Sequence, residues 1–342
     1  MALGQTKAAL DYFTRARDSD HLRFRADTQI NAIIREVANT SACHNVRLLD
    51  AENAFCARDD RVPGYHRFYD HVHFNITGNY QMTLLLKNQV ETIFKIGNQD
   101  TNLSESECRA RLALTCWDAY RMQNEMLERM KSPVFSAQLD HAHTIHVVQS
   151  QVNSLGAMMT GAALEEAVEC YRSAIRNDAD DWVLQNNFGL LLLEAVHDPA
   201  RAKDRFRHIL QLFPDDYLTL NNLGLAYAQQ GSLNAAAAAY GKAMAVKPEF
   251  PESHFNLGEV YERQLRYKDA LNQYEQSHLP PEQLARAFNR AAVYLAERNH
   301  FEQAGAHFER ALTIWPASPE IETNYGLALC NQGAFEQGWQ RV

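Results

Sequence analysis

The most informative part of the sequence is the stretch DYLTLNNLGLAYAQQGSLNAAAAAYGKAMAVKPEF, residues 216–250. Counted from Tyr217, it has small residues at positions 8, 20 and 27, aromatic residues at positions 11 and 24, and a proline at position 32. In that order the residues are Gly224, Ala236, Ala243, Tyr227, Tyr240 and Pro248. Small residues let two helices approach closely and rings fill the space around them, while proline ends a helix because it lacks an N–H donor and clashes with the preceding turn. The stretch therefore predicts a pair of antiparallel helices.

The same offsets recur before and after this stretch. Five units and a fragment, the first of them degenerate, are in register over residues 149–342. They begin near Ser154, Trp182, Tyr217, Pro251, Ala285 and Pro319. Because one helical pair cannot bury its apolar face alone, consecutive pairs are expected to stack. The sequence thus predicts a helical-repeat superhelix.

The spacing resembles that of the tetratricopeptide repeat (TPR) family, whose units are 34 residues long. The resemblance implies a concave groove that is lined by the first helix of each unit and binds a protein or peptide. In that family, positions 2, 5, 9 and 12 usually point into the groove. At these positions we predict the partner-binding residues Asn221, Leu225, Phe255, Glu259, Glu262 and Asn289. The lysine–asparagine clamp that some members use for a terminal carboxylate is not evident.

Asparagine recurs at position 6 of four units. The residues are Asn187, Asn222, Asn256 and Asn324. We expect these amides to support packing and backbone hydrogen bonds, and we assign none of them to a ligand.

The composition argues against a general nucleic-acid binder. The 342-residue chain has a net charge of −9, whereas nucleic-acid-binding domains usually carry a basic face. No apolar run approaches the roughly 18 residues of a membrane span, and the N-terminus lacks the apolar core of a signal peptide. We therefore expect no nucleic-acid partner, no membrane span and no cofactor. The expected location is cytoplasmic by default, or the cell envelope for a longer form. The six scattered cysteines are expected to be free thiols.

Residues 1–99 have the pattern of a partial α/β segment. Residues 26–40 have the period of an amphipathic helix, and residues 45–51 are an apolar run typical of a short buried strand. A second helix is predicted from Gly78. The polar motif DHVH, residues 70–73, lies between the predicted strand and that helix, where α/β sheets often place a ligand site.

This motif resembles the D-x-x-H block that precedes the C-terminal helix of SGNH (GDSL-like) hydrolases, which stand ahead of TPRs in some bacterial proteins. The resemblance implies that His73 is a catalytic base and that Asp70 orients its imidazole, as in a serine triad. The Gly-Asp-Ser nucleophile block and the oxyanion blocks of that family are absent from the sequence. Without them, Asp70 and His73 are not expected to hydrolyse an ester.

Three interpretations of DHVH stay open. The motif is a residual or truncated hydrolase corner, a structural polar loop, or a metal site built on His71 and His73. A second histidine-rich motif, DHAHTIH at residues 140–146, is not expected to bind a metal. Its three histidines, His141, His143 and His146, do not share one helical face.

Residues 100–148 are predicted to be a helical connector, with Ser104 as the N-cap and Glu107 completing a capping box. The predicted fold is therefore mainly α, with the partial α/β segment over residues 1–99 and TPRs over residues 149–342.

The predicted function is that of a protein-interaction scaffold that is not catalytic as given. The alternative is an SGNH-type acyl or acetyl ester hydrolase whose nucleophile half is missing from this chain. Because the last unit stops inside its second helix, we also expect self-association through its apolar face.

Overall fold

In the computed structural model, the described residues are 28–40, 47–57, 74–95, 103–132, 141–316 and 318–341, together with Arg15 and Arg67. The chain divides into two compact units, Met1–Met159 and Thr160–Val342. Within the described ranges, no helix combines the length and the apolar character needed to cross a bilayer.

The described part of the first unit is helical. Its helices are α1 (Thr28–Thr40), α2 (Ala51–Ala57), α3 (Ile76–Phe94), α4 (Glu105–Arg111), α5 (Cys116–Met130) and α6 (His141–Met158). Side-chain caps fix where several of these helices begin. The Asn75 side chain accepts the backbone N–H of Gly78 at 3.0 Å at the start of α3. The predicted capping box of Ser104 and Glu107 is confirmed at the start of α4.

The strand predicted at residues 45–51 is wrong in its described part. Residues 47–50 have no regular structure, and α2 begins at Ala51. The Asp50 carboxylate accepts the backbone N–H of Asn53 at 3.1 Å, as an N-cap side chain does, and this bond favours a helical first turn. The same carboxylate also pairs with Arg35 of α1 at 2.7 Å. Where residues 1–99 are described they form helices and no strand, so an α/β segment is not shown.

Helices α5 and α6 pack through a small apolar core. Leu127 and Met130 of α5 meet Val148 and Val152 of α6, and all four are buried. The second half of α6 covers residues that the sequence assigns to the degenerate first repeat. In the structure, that half belongs to the first unit.

The second unit is a succession of helical hairpins. Its helices are α7 (Gly161–Asn177), α8 (Trp182–Glu194), α9 (Pro199–Leu212), α10 (Tyr217–Gln229), α11 (Leu233–Val246), α12 (Pro251–Arg263), α13 (Tyr267–Gln276), α14 (Pro281–Ala296), α15 (Phe301–Ile314), α16 (Pro319–Gln332) and α17 (Phe335–Trp339). From α8 onward, even-numbered helices are the first helices of hairpins and odd-numbered helices are the second. The second helix of each hairpin also packs against the first helix of the next.

Three hairpins, α8–α9, α10–α11 and α12–α13, have a glycine on the first helix that faces a ring of the second. A methyl group added at Gly224 would lie 2.5 Å from the ring of Tyr240, which is 1% exposed. A methyl group added at Gly189 or Gly258 would likewise lie 2.5 Å from an aromatic ring of the following helix. A methyl group at any of these three glycines would displace the ring, so the predicted close approach of the two helices at the small residue of position 8 is confirmed.

The turns inside the hairpins repeat with the same period. Five residues with a positive φ of 56–95° follow one another at intervals of 34. They are His197, Gly231, Leu265, Asn299 and Gly333. A left-handed residue commonly ends a helix, because it turns the chain and lets its N–H reach a carbonyl of the last turn. The 34-residue period is therefore present in the backbone conformation as well as in the side chains.

Candidate protein-binding face

The first helices lie side by side. Three neighbouring pairs are in contact, α8 with α10, α10 with α12, and α14 with α16. The surface made by α8, α10, α12, α14 and α16 is termed the first-helix face. It is the surface on which the sequence places the predicted groove residues.

A ladder of asparagine amides links these three pairs. Asn222 donates to the side-chain oxygen of Asn186 at 3.1 Å, and Asn256 donates to that of Asn221 at 3.1 Å. Asn324 donates to Asn289 at 3.3 Å. In each case position 6 of one hairpin donates to position 5 of the hairpin before it. The position-6 amides thus bond to side chains, whereas the sequence suggested backbone partners.

Two predicted groove residues belong to this ladder. Asn221 is 8% exposed and also accepts the hydroxyl of Ser253 at 3.0 Å. Asn289 is 3% exposed and donates to Glu320 at 3.4 Å. Both side chains therefore hold neighbouring first helices together.

The ladder changes at the junction of α12 and α14. Here position 5 is Phe255 and position 6 of the next hairpin is Arg290. The Arg290 guanidinium donates hydrogen bonds to both carboxylate oxygens of Glu262, at 2.6 and 2.9 Å. The Tyr274 hydroxyl adds a third donor at 2.8 Å. A carboxylate held by three donors has a fixed orientation, and Arg290 and Tyr274 are site residues that the sequence analysis missed.

A continuous strip follows α12 at this junction. Phe255, Glu259 and Glu262 are spaced four and three residues apart, so they share one side of the helix. These three residues are termed the α12 strip. Phe255 is half-buried against Tyr274, with ring centroids 5.9 Å apart, whereas Glu259 is exposed. Leu225, half-buried on α10, occupies the position that corresponds to Glu259.

The pKa values of the two carboxyl groups of the strip are shifted in opposite directions. Loss of surrounding water and the neighbouring Glu262 carboxylate raise the pKa of Glu259 above its ordinary value. Burial also opposes ionisation of Glu262, but hydrogen bonds from Arg290 and Tyr274 outweigh it and lower the pKa of Glu262. Glu259 is therefore the carboxylate that gains most from a cation brought by a partner.

The predicted catalytic pair, Asp70 and His73, lies outside the described residues, as does His71. The histidines of the second polar motif lie on α6, which begins at His141. The described residues contain no group of three or more His, Cys, Asp or Glu side chains that could hold a metal ion.

Residues 224–264 match the family model described as TPR repeat. The type IV pilus assembly protein PilF of Pseudomonas aeruginosa is 27% identical over 110 residues, which cover 31% of this chain and 42% of PilF. The BBSome complex member bbs-4 of Caenorhabditis elegans is 24% identical over 136 residues, which cover 40% of this chain and 29% of bbs-4. This chain thus spans less than half the length of the two curated relatives.

Two solved structures match part of this chain. YrrB, titled a TPR protein with an unusual peptide-binding site, is 20% identical with a TM-score of 0.41, and the match covers 51% of this chain and 89% of YrrB. MamA is 17% identical with a TM-score of 0.39, and the match covers 48% of this chain and 88% of MamA. The family match, together with the repeated hairpins and their glycine–ring contacts, shows that this chain carries TPR repeats.

Proposed function

We propose that this chain is a protein-interaction scaffold that binds a protein or peptide on its first-helix face. The contact residues in this proposal are Leu225 and the α12 strip. Asn221 and Asn289 contribute by keeping neighbouring first helices in register.

The observation that carries the proposal is the α12 strip. It combines a half-buried ring, an exposed carboxylate and a second carboxylate that Arg290 and Tyr274 hold in place. Groups whose orientation is already fixed lose little conformational entropy when a partner binds, so they favour affinity. A peptide that places an apolar side chain on Phe255 and a cationic group on Glu259 fits this strip.

The names of the curated relatives agree with the proposal. One is an assembly protein and the other is a member of a complex. We extend only this general role, interaction with other proteins, to the present chain.

Peptide selection followed by calorimetry tests the proposal. Peptides are selected from a random library on the full chain, and their affinity is then measured for Glu259→Gln and for Glu259→Gln combined with Phe255→Ala. We expect the double variant to bind about tenfold more weakly or worse, because interface energy concentrates in a few anchoring residues. The matched control is Glu302→Gln, which removes the same charge from an exposed position on α15.

Thermal unfolding of each variant separates loss of binding from loss of fold. The proposal fails if Glu259→Gln, alone and combined with Phe255→Ala, binds the selected peptides as tightly as Glu302→Gln does.

We also propose self-association through the last hairpin. Leu327, Phe335 and Trp339 are 53%, 62% and 72% exposed, and contact with a second copy would cover them. Light scattering is expected to show dimers that Trp339→Ser abolishes, and a monomer at every concentration would refute this assignment.

The ester-hydrolase alternative depends on Asp70 and His73, and no observation on the described residues favours it.

A further inference from the structure

A small cavity opens among α7, α8 and α9. Its volume is about 230 Å³. It is lined by Arg172, Phe188, Leu192, Arg201, Asp204 and Arg205. A helix turns by about 100° per residue, so Phe188 and Leu192 lie roughly 200° and 240° around α8 from Asn186 of the ladder. The cavity therefore faces away from the first-helix face.

Helix α9 concentrates positive charge beside this cavity. It carries Arg201, Lys203, Arg205 and Arg207 against the single acidic residue Asp204, in a chain whose net charge is −9. Uncharged groups position three of these cations. Lys203 donates to Gln230 at 3.4 Å, Arg205 to Gln185 at 3.3 Å, and Arg207 to the Tyr227 hydroxyl at 2.7 Å. These contacts orient the cations without cancelling their charge.

Among the described residues, the ion-pair partners of the other two arginines of the cavity are distant. Arg172 lies 3.6 Å from Glu169, and Arg201 lies 3.6 Å from Asp198. The side chains of Arg172 and Arg201 are 49% and 40% exposed. Exposed pairs of this kind contribute little free energy, typically about 0–1 kcal/mol, so both guanidinium groups can turn toward a ligand at small cost.

We propose that this cavity binds a carboxylate side chain from an acidic segment of a partner protein. Guanidinium groups from α7 and α9 face the opening, and planar guanidinium pairs with carboxylate through two parallel hydrogen bonds. Phe188 and Leu192 offer an apolar floor for the methylene groups of a glutamate. This is a second binding site, beyond the one proposed on the first-helix face.

The size of the cavity favours a single side chain over a larger ligand. The cavity is smaller than the roughly 300 Å³ at which pockets for cofactors and drug-sized ligands begin, so it fits a side chain.

Calorimetry on the full chain tests the assignment with capped pentaglutamate as the probe and capped pentaglutamine as its neutral counterpart. At about 150 mM salt, long-range repulsion by the net negative charge is largely screened. We expect pentaglutamate to bind and pentaglutamine not to bind. Arg172→Gln combined with Arg201→Gln should weaken binding by about tenfold or more, since it removes two charged partners.

The matched control is Arg176→Gln. Arg176 follows Arg172 on the same helix, pairs with Glu169 at 2.9 Å and does not line the cavity. It should change the affinity by less than about twofold, within the range of a peripheral charge. Melting curves establish that the variants are folded, and single Arg172→Gln serves if the double variant is not.

Four results would overturn the proposal. They are no binding of pentaglutamate at about 1 mM, equal binding of pentaglutamine, an equal loss in Arg176→Gln, and tighter binding of inorganic phosphate than of pentaglutamate.

Discussion

At the scale of single residues, Gly224 determines how closely α10 and α11 approach. A methyl group at this position would lie 2.5 Å from a Tyr240 ring that is buried on all sides. The sequence predicted a close approach of the helices at the small residue of position 8 and a space-filling ring at position 24, but it did not identify the contact between the two.

Gly224→Ala is therefore expected to destabilise the protein. Displacement of the ring costs about 1–3 kcal/mol, which the higher helix propensity of alanine offsets only in part. Gly241→Ala is the control, because Gly241 is exposed within α11 and a methyl group there meets no atom within 4 Å. That variant should gain about 0.5–1 kcal/mol. Urea unfolding measures both changes, and effects of the same sign would contradict this explanation.

Glu259 and Glu262 are expected to affect the pH dependence of the protein's stability in opposite ways. Because the pKa of Glu259 is raised, its ionisation opposes folding, and the stability it contributes is lost as pH rises from the unfolded value of 4.5 through the folded value. Glu259→Gln should therefore be more stable than the wild type at neutral pH, with a smaller difference near pH 4.

For Glu262 the sign is reversed. Its pKa is lowered, so its contribution is present above 4.5 and is lost as pH falls through the folded value. Glu262→Gln should be less stable than the wild type at neutral pH, and the loss should shrink in acid. Urea unfolding at several pH values checks both variants, and parallel pH profiles would contradict the assignment.

At the scale of helices, the asparagine ladder is expected to stabilise the stack. Asn221→Ala leaves the Ser253 hydroxyl and the Asn256 amide without their acceptor, and Ser253 is fully buried. An unsatisfied buried group costs about 1–3 kcal/mol, and we expect a loss of that size in the free energy of unfolding. Asn234→Ala is the control, because Asn234 is exposed on α11 and bonds only across the surface to Gln264.

A loss of stability no larger in Asn221→Ala than in Asn234→Ala would show that the ladder contributes nothing.

The sequence revealed that asparagine recurs, but it did not identify the partners of these amides. Those depend on how far one hairpin is shifted along the next, which spacing within a unit does not specify. One unit has an arginine, Arg290, at position 6, where four other units have asparagine. This difference in sequence was the sign that Arg290 has another role than the asparagines.

The strand predicted at residues 45–51 illustrates a different limit. A short apolar run fits a strand or a buried turn of helix equally well, and periodicity over so few residues does not distinguish them. Asp50 was the informative residue, because an aspartate ahead of Ala-Glu-Asn is a helix-start signal.

At the scale of the whole molecule, the second unit follows from its sequence because its contacts are local. Each hairpin touches its neighbours in the chain, so a 34-residue pattern predicts both the pair of helices and its stacking. Residues 28–132 have no such internal repeat. There α1 and α3 were predicted, whereas α2 lies where a strand and a loop were expected.

Hydrogen exchange of the full chain, with and without a library-selected peptide, tests most directly whether the first-helix face is the binding surface. Binding on this face should slow exchange in Tyr217–Gln229 and Pro251–Arg263, with little change in Leu233–Val246 and Phe301–Ile314. Slower exchange confined to the second helices, with Pro251–Arg263 unchanged, would contradict it.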